Sequence, residues 1–311
     1  MKKRMFALLS VLCLTVGCFG ACGKTDETKD ISAPETTATV APSSEERGNG
    51  STLPEATATP EPTATPEPTP TPKPTATPEP TPTPFPVDPD DTGIWENNAD
   101  ISWIDPEKPM IAFTFDDGPI GAADTSNSIR IQNALSASGQ HATFFYWGSR
   151  INATTEKEIK RAYDMGFEIG NHTFSHSNLT GLTKEKIYDD VTKCADKLSE
   201  ITGLEHFLVR PPYLATNSLV KSTVREPMIN CSIDTKDWNG ATSEQIIDAI
   251  NNNKKDGAIV LMHENYSSTA TAMETLIPQL VAEGWQIVSV SELFKAKGLE
   301  LKDGEVYSFA K

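Results

Sequence analysis

The stretch Met110-Ile-Ala-Phe-Thr-Phe-Asp-Asp-Gly-Pro119 decides how this chain is read. Its first half is a short apolar run with β-branched and aromatic residues, the pattern of a buried strand. It ends in two adjacent carboxylates, Asp116 and Asp117, followed at once by the breaker pair Gly118-Pro119. Carboxylates at the mouth of a buried strand are costly unless a partner or a ligand meets them there. Successive strand residues point in opposite directions, so one carboxylate can hold a metal while the other faces a substrate. The same residues also fit a solvated Asp-Asp-Gly turn, and the rest of the chain has to separate the two readings.

Downstream of this stretch, strand and helix patterns alternate. A helix over Ser126–Ala137 is closed by Gly139, and Ala142-Thr-Phe-Phe-Tyr146 is a second strand. Thr155–Met165 reads as a helix closed by Gly166, Phe167–Ile169 as a strand, and Lys184–Thr202 as a long helix before Gly203. Phe207–Val209 and Met228–Ile233 are strand candidates. Thr242-Ser-Glu-Gln245 is a capping box that opens a helix over Ser243–Asn252. Ala258–Met262, Thr269–Glu283 and Trp285–Val290 continue as strand, helix and strand, and a short helix follows. This alternation predicts an α/β fold with a mostly parallel sheet, and the count favours a distorted (β/α) barrel of about seven strands.

Polar residues collect where that fold would place chemistry, at the C-terminal ends of the strands. Asp116 and Asp117 follow Phe115, Asn171-His-Thr-Phe-Ser-His176 follows Gly170, and Arg210-Pro-Pro-Tyr213 follows Val209. Asp234-Thr-Lys-Asp-Trp238 follows Ile233, and His263 closes the strand after Leu261. Five such ends argue for one site. His172 and His176 share a face if their segment is helical. With Asp117 they make a two-histidine, one-carboxylate metal set.

Upstream, the 311-residue chain divides by composition. Lys2, Lys3 and Arg4 precede the apolar run Met5–Phe19, the pattern of an export signal and a short one for a membrane span. Phe19-Gly-Ala-Cys22 resembles the lipobox at which bacterial lipoproteins are cleaved and acylated, and Cys18 is a second candidate. The expectation is a signal over 1–22 and extracytoplasmic residence, anchored by lipid on Cys22 or secreted. Thr-Ala-Thr-Pro-Glu-Pro begins at Thr57, Thr63 and Thr75 inside a Thr/Pro/Glu tract. Frequent proline favours polyproline II, and Pro54–Pro86 could span ~100 Å at about 3.1 Å per residue. Residues 23–104 are therefore expected to be a disordered linker, 105–297 the folded domain, and 298–311 a tail. The formal charge of −16 argues against nucleic acid as a partner. Cys194 and Cys231 are expected to be buried free thiols, with a disulfide left open.

Thr114-Phe-Asp-Asp-Gly-Pro119, His172-Thr-Phe-Ser-His176, Arg210-Pro-Pro-Tyr213, Asp234-Thr-Lys-Asp-Trp238 and Leu261-Met-His263 resemble, in order, five motifs of the polysaccharide deacetylases. This is the NodB-homology domain of carbohydrate esterase family 4. Ala142-Thr-Phe-Phe145 and Gly284–Phe294 are similar to the family as well, so the resemblance covers roughly Lys108–Lys297. It implies a distorted barrel and metal-dependent removal of acetyl groups from sugar polymers. It further implies that Asp117, His172 and His176 hold a divalent metal, usually zinc. Asp116 would be the general base, His263 the general acid, Arg210 the partner of Asp116, and Asp237 or Asp234 the partner of His263. The Tyr213 N–H would help hold the oxyanion, and Leu261 and Trp238 would wall the acetyl pocket. Leu214 departs from the glycine many members carry there, which puts substrate preference in doubt.

The expected function is deacetylation of cell-wall acetylamino sugars, with peptidoglycan favoured by the anchor and spacer. An O-acetyl esterase on xylan, or a deacetylase of chitin-type or exopolysaccharide chains, would use the same residues. A non-catalytic carbohydrate-binding barrel would lack a base or a ligand, and this chain lacks neither.

Overall fold

The computed structural model describes residues 95–311. The expected signal, its candidate lipidation sites Cys18 and Cys22, and the Thr/Pro/Glu tract up to residue 94 lie outside the described residues.

The strand β1 (Met110–Gly118) is central. One edge pairs in parallel with β6 (Ala258–His263), in a register that sets Ala112 against Ile259, Thr114 against Leu261 and Asp116 against His263. The other edge is shared: β7 (Gln286–Val288) pairs with its start and β2 (Thr143–Tyr146) with its end. The sheet then runs through β3 (Glu168–Asn171) and a single bridging residue, Val209, to β4 (Met228–Ile229) and β8 (Val306–Tyr307). On the far side of β6 lies β5 (Ile233–Asp234).

The expected single strand Met228–Ile233 is broken. Its first half, β4, pairs with Val209 and β8, and its second half, β5, pairs with β6. Asn230-Cys231-Ser232 carries the chain across, so the ring of strands closes through the backbone itself and not through a ladder. The result is the expected parallel α/β barrel, distorted at this join and at the wedge of β7 beside β1.

Alternation along β1 sorts its residues. Ile111, Phe113 and Phe115 pack outward on Ile131 and Leu135 of α1 (Asn127–Ala137) and on Met273 and Leu276 of α6 (Ser267–Ala282). Met110 and Ala112 face inward with Phe145, Leu208, Ile229, Ile259 and Val288. Helices α2 (Glu156–Asp164), α4 (Ser218–Thr223) and α5 (Ser243–Asn253) complete the outer layer with α3 (Lys184–Thr202). Sequence signals fix several ends. Thr183 caps α3 by accepting from the Lys186 N–H, and Gly203 ends it at φ 75°, a conformation that favours glycine. The capping box at Thr242 and Gln245 forms as expected.

Both expected boundaries of the folded unit need correction. Residues 95–104 are packed: the Trp95 N–H donates to Leu301 O at 3.0 Å, and Trp103 Nε1 donates to Glu292 Oε1 at 3.0 Å. At the other end Leu301 and Ala310 are buried, and β8 lies beyond the supposed start of a tail. These two ends, with α7 (Val290–Ala296), cover the apolar floor of the barrel. Leaving that floor in water would forfeit the burial of several large side chains. Cys194 and Cys231 are both free; Cys194 is buried, but Cys231 only partly.

Candidate metal and catalytic site

The β1–β2 register shifts between Asp116 and Gly118, and Asp117 sits in that bulge at φ 71°. Simple alternation predicts carboxylates on opposite faces, and the structure corrects this. Asp116 follows Ala112 and Thr114 into the barrel, while the bulge re-aims Asp117 toward the same mouth. Both approach one imidazole: His172 Nε2 lies 3.7 Å from Asp116 Oδ2 and 3.6 Å from Asp117 Oδ1.

The histidine segment is not helical. Thr173 at φ 65° and His176 at φ 56° make it a tight loop after β3, so the shared-face argument from i, i+4 spacing does not apply. Buried Asp190 of α3 holds the loop instead, accepting from the Ser175 N–H at 2.8 Å and from Ser175 Oγ at 3.0 Å. The loop still brings His176 Nε2 to 3.3 Å from Asp117 Oδ1. The donor atoms of Asp117, His172 and His176 all lie within 4.8 Å of one another.

Three observations fit this set to a cation. Asp117 Oδ1 is buried with no hydrogen-bond partner. Burial raises the Asp117 carboxyl, but the imidazoles of His176, His172 and His263 outweigh it and bring it down to about 2, so it is ionised. His172 Nδ1 lies 2.7 Å from Arg210 O, which assigns the proton to Nδ1 and leaves Nε2 free to ligate.

Arg210, wholly buried, organises one side. Its Nη1 donates to Asp116 Oδ1 at 2.8 Å and to Thr114 Oγ1 at 2.6 Å, and its Nε donates to Ile229 O at 3.1 Å. The guanidinium lies 4.3 Å over the Phe145 ring, which leaves it no freedom to turn. On the other side, His263 faces Asp116 across the β1–β6 ladder. Its Nδ1 meets Asp237 Oδ1 at 2.8 Å, and Asp237 is itself fixed by the His263 N–H, the Trp238 N–H and Thr269 Oγ1. Burial lowers the His263 pKa, but the bond to Asp237 and the charges of Asp116, Asp237 and Asp117 raise it overall. Asp234 has another role: it accepts from Lys236 Nζ at 2.6 Å and from Trp238 Nε1 at 3.3 Å. Of the two aspartates left open as partners of His263, the structure selects Asp237.

The remaining sequence candidates line the mouth. Leu261 is buried opposite Thr114, inside the barrel. Trp238 is exposed with Lys236 over its ring, and the exposed Tyr213 ring sits edge-on to His176 at 5.1 Å between centroids. Leu214 holds φ 55°, a left-handed conformation that strains a side chain by about 1–2 kcal/mol, which gives a local reason for glycine there.

Sequence reasoning missed Trp147 and Arg150. Trp147 stacks on His176 at 4.5 Å, and Arg150 lies 4.1 Å over Trp147 while donating to Asp117 O. Trp147 directly follows β2, so the rule of strand ends could have found it. Asp190, in mid-helix, carries no such signal. A groove of about 1320 Å³ at the strand-start end, lined by Trp95, His141 and Tyr188, contains none of these residues.

Residues 104–229 match the family profile described as polysaccharide deacetylase. The chain is 35% identical over 194 residues to the peptidoglycan-N-acetylmuramic acid deacetylase PdaC of Bacillus subtilis, covering 62% of this chain and 40% of that protein. It is 32% identical over 206 residues to a peptidoglycan-N-acetylglucosamine deacetylase of Bacillus cereus, covering 63% of this chain and 94% of that one. The structure of a family 4 acetyl xylan esterase from Clostridium thermocellum, in complex with a cobalt ion, superposes with a TM-score of 0.60 at 29% identity. That match covers 64% of this chain and 98% of the esterase.

Proposed function

The chain belongs to the polysaccharide deacetylase family, and from that premise we propose that it is a metal-dependent hydrolase that removes acetyl groups from the N-acetylated sugars of peptidoglycan. The observation that carries this reading is the pairing of an Arg210-bound Asp116 with an Asp237-bound His263 across a two-histidine, one-carboxylate pocket.

Asp117, His172 and His176 would hold the metal, which we take to be zinc; when bound it supplies Lewis acidity to the acetyl carbonyl and to a water. Asp116 takes the proton of the attacking water through Oδ2, the oxygen not engaged by Arg210. His263 gives a proton from Nε2 to the leaving nitrogen, since Nδ1 is held by Asp237. The bond to Asp237 and the nearby carboxylates raise its pKa, which favours the protonated form. The Tyr213 N–H helps stabilise the oxyanion, and Leu261 and Trp238 enclose the acetyl methyl group. In the cell the protein sits outside the cytoplasm, with Cys22 lipidated and the Thr/Pro/Glu tract giving the domain reach into the wall.

Two of the relatives act on peptidoglycan by name, which supports an amide substrate. The acetyl xylan esterase similarity favours a second reading, ester hydrolysis on xylan with the same residues. A binding-only barrel would require a missing base or ligand, and Asp116, Asp117, His172, His176 and His263 are all present. The test is acetate release after chelation and zinc add-back, on peptidoglycan, chitooligosaccharides and acetylated xylan in parallel. Metal-dependent release from peptidoglycan is expected. Release from xylan alone would favour the ester reading, and no release from any substrate with metal bound would favour binding only.

A further inference from the structure

Behind the Asp116–Gly121 segment two glutamates are wholly buried, Glu158 of α2 and Glu264 just after β6. Glu158 Oε2 accepts from the backbone N–H groups of Ile120 at 3.0 Å and Gly121 at 2.6 Å. Glu264 Oε2 accepts from Ser128 Oγ at 2.5 Å, and the Glu264 N–H donates to Asp116 O at 3.2 Å. Ser128 also accepts from Gln132 Nε2, which ties the cluster into α1. Glu264 fills the space that Gly118 leaves, since a Cβ on Gly118 would lie 1.3 Å from Glu264 Oε1.

Each carboxyl has one oxygen, Oε1, that is buried and has no hydrogen-bond partner. Both orphan oxygens lie behind the same segment, with Glu264 Oε1 in the space beside Gly118 and Glu158 held at Ile120 and Gly121. Two ionised carboxylates repel in a dry space, whereas an acid and a carboxylate satisfy both oxygens with one proton. The asymmetry of partners assigns that proton. Glu158 receives two backbone N–H groups that stabilise its charge, and Glu264 receives only a serine. Burial and the neighbouring carboxylate push Glu264 well above the usual range, in agreement. Tyr146, whose hydroxyl is also buried, and the Asp117 carboxylate are further titratable groups that act on this pair.

We propose that Glu158 and Glu264 form an acid–carboxylate pair, joined by one shared proton, that positions the Asp116–Gly121 segment against the end of β6. Glu158 grips the segment through Ile120 and Gly121, and Glu264 belongs to the chain that follows His263 directly. The pair therefore sets the distance between base and acid without touching substrate. Misplacement of a reacting group by about 1 Å costs on the order of 100-fold in rate. This rests on the roles given above to Asp116 and His263.

The test uses the full chain loaded with zinc. Glu264→Gln keeps a neutral hydrogen-bond donor to Glu158 and is expected to retain kcat within about threefold, whereas Glu264→Met lowers kcat by about tenfold or more, with KM and zinc content unchanged. Infrared spectra of the wild type at neutral pH should show a neutral carboxylic acid band. That band is expected to shift or vanish in Glu158→Gln, where Glu264 loses its carboxylate partner. This arm stands even if Glu264→Met does not fold. Wild-type kcat in Glu264→Met, equal loss in the Gln and Met variants, or a band left unchanged in Glu158→Gln would each overturn the pair. A wild type that releases no acetate would instead overturn the proposed reaction, and the infrared arm would still decide the pair.

Discussion

Asp116 and Asp117 are adjacent residues with the same functional group, and their surroundings separate them. Asp116 lies on the inward face of β1 and is bound by Arg210; Asp117 sits in the bulge, within reach of two imidazole nitrogens. Asp116→Asn should keep bound zinc and lose turnover by about 100-fold or more, the usual contribution of a general base. His172→Ala should lose both, and metal analysis beside acetate release separates the two outcomes. Equal zinc content in His172→Ala would sink the ligand assignment. Asp237 makes a prediction with a sign. The His263 pKa is raised in the fold, so the general acid is present at low pH and activity falls as pH rises through that value. Asp237→Asn removes the strongest raising influence and leaves burial opposed only by Asp116 and Asp117, so the alkaline fall in kcat should move to lower pH. A pH–rate profile unchanged in this variant would detach Asp237 from His263. Of the site residues, the carboxylates and histidines were legible because polar groups at strand ends are conspicuous. Trp147 and Asp190 were not, because an aromatic after a strand and an acid in a helix have many ordinary uses.

At the scale of elements, β3 shows how close the layers lie. Gly170 stands beside Phe145, and a Cβ there would come within 2.4 Å of the ring. Gly170→Ala is expected to destabilise the fold by about 1–3 kcal/mol through overpacking, read as a lower urea midpoint with an unchanged slope. An unchanged midpoint would mean that β2 and β3 yield more readily than the packing suggests. Helix α3 was readable to the residue because Thr183 and Gly203 mark its ends chemically. The run Met228–Ile233 was not, since its apolar pattern says that it is buried and leaves open which neighbours it pairs with. The His172–His176 segment likewise follows a helical spacing by coincidence. Two positive φ angles at non-glycine residues, invisible to any pattern, give it its shape.

At the scale of the molecule, the metal pocket couples chemistry to stability. Without a cation, Asp117 keeps an ionised oxygen buried and unpartnered. A ligand that binds only the folded state adds about 2.7 kcal/mol when present at a hundred times its Kd. Chelation should therefore lower the melting temperature, and zinc should restore it. In His172→Ala that response should be lost, and its persistence there would place the cation elsewhere. The barrel floor contributes a second lesson: residues 95–104 and the last turn of chain both pack on it, so the folded unit is longer at each end than composition suggested.

By itself the sequence determined the alternation of strand and helix and the strand ends that carry polar groups. It also determined the five motifs by which the family is recognised. These are local properties: burial periodicity, caps and breakers are written within a few residues of where they act. Only the tertiary arrangement sets the crossing of Asn230–Ser232 that closes the ring, the bulge that turns Asp117 to the histidines, the choice of Asp237 over Asp234, and the burial of Glu158 and Glu264 behind the Asp116–Gly121 segment. Each of these depends on which distant segments become neighbours. A buried carboxyl or a left-handed residue is stable only once that neighbour is in place.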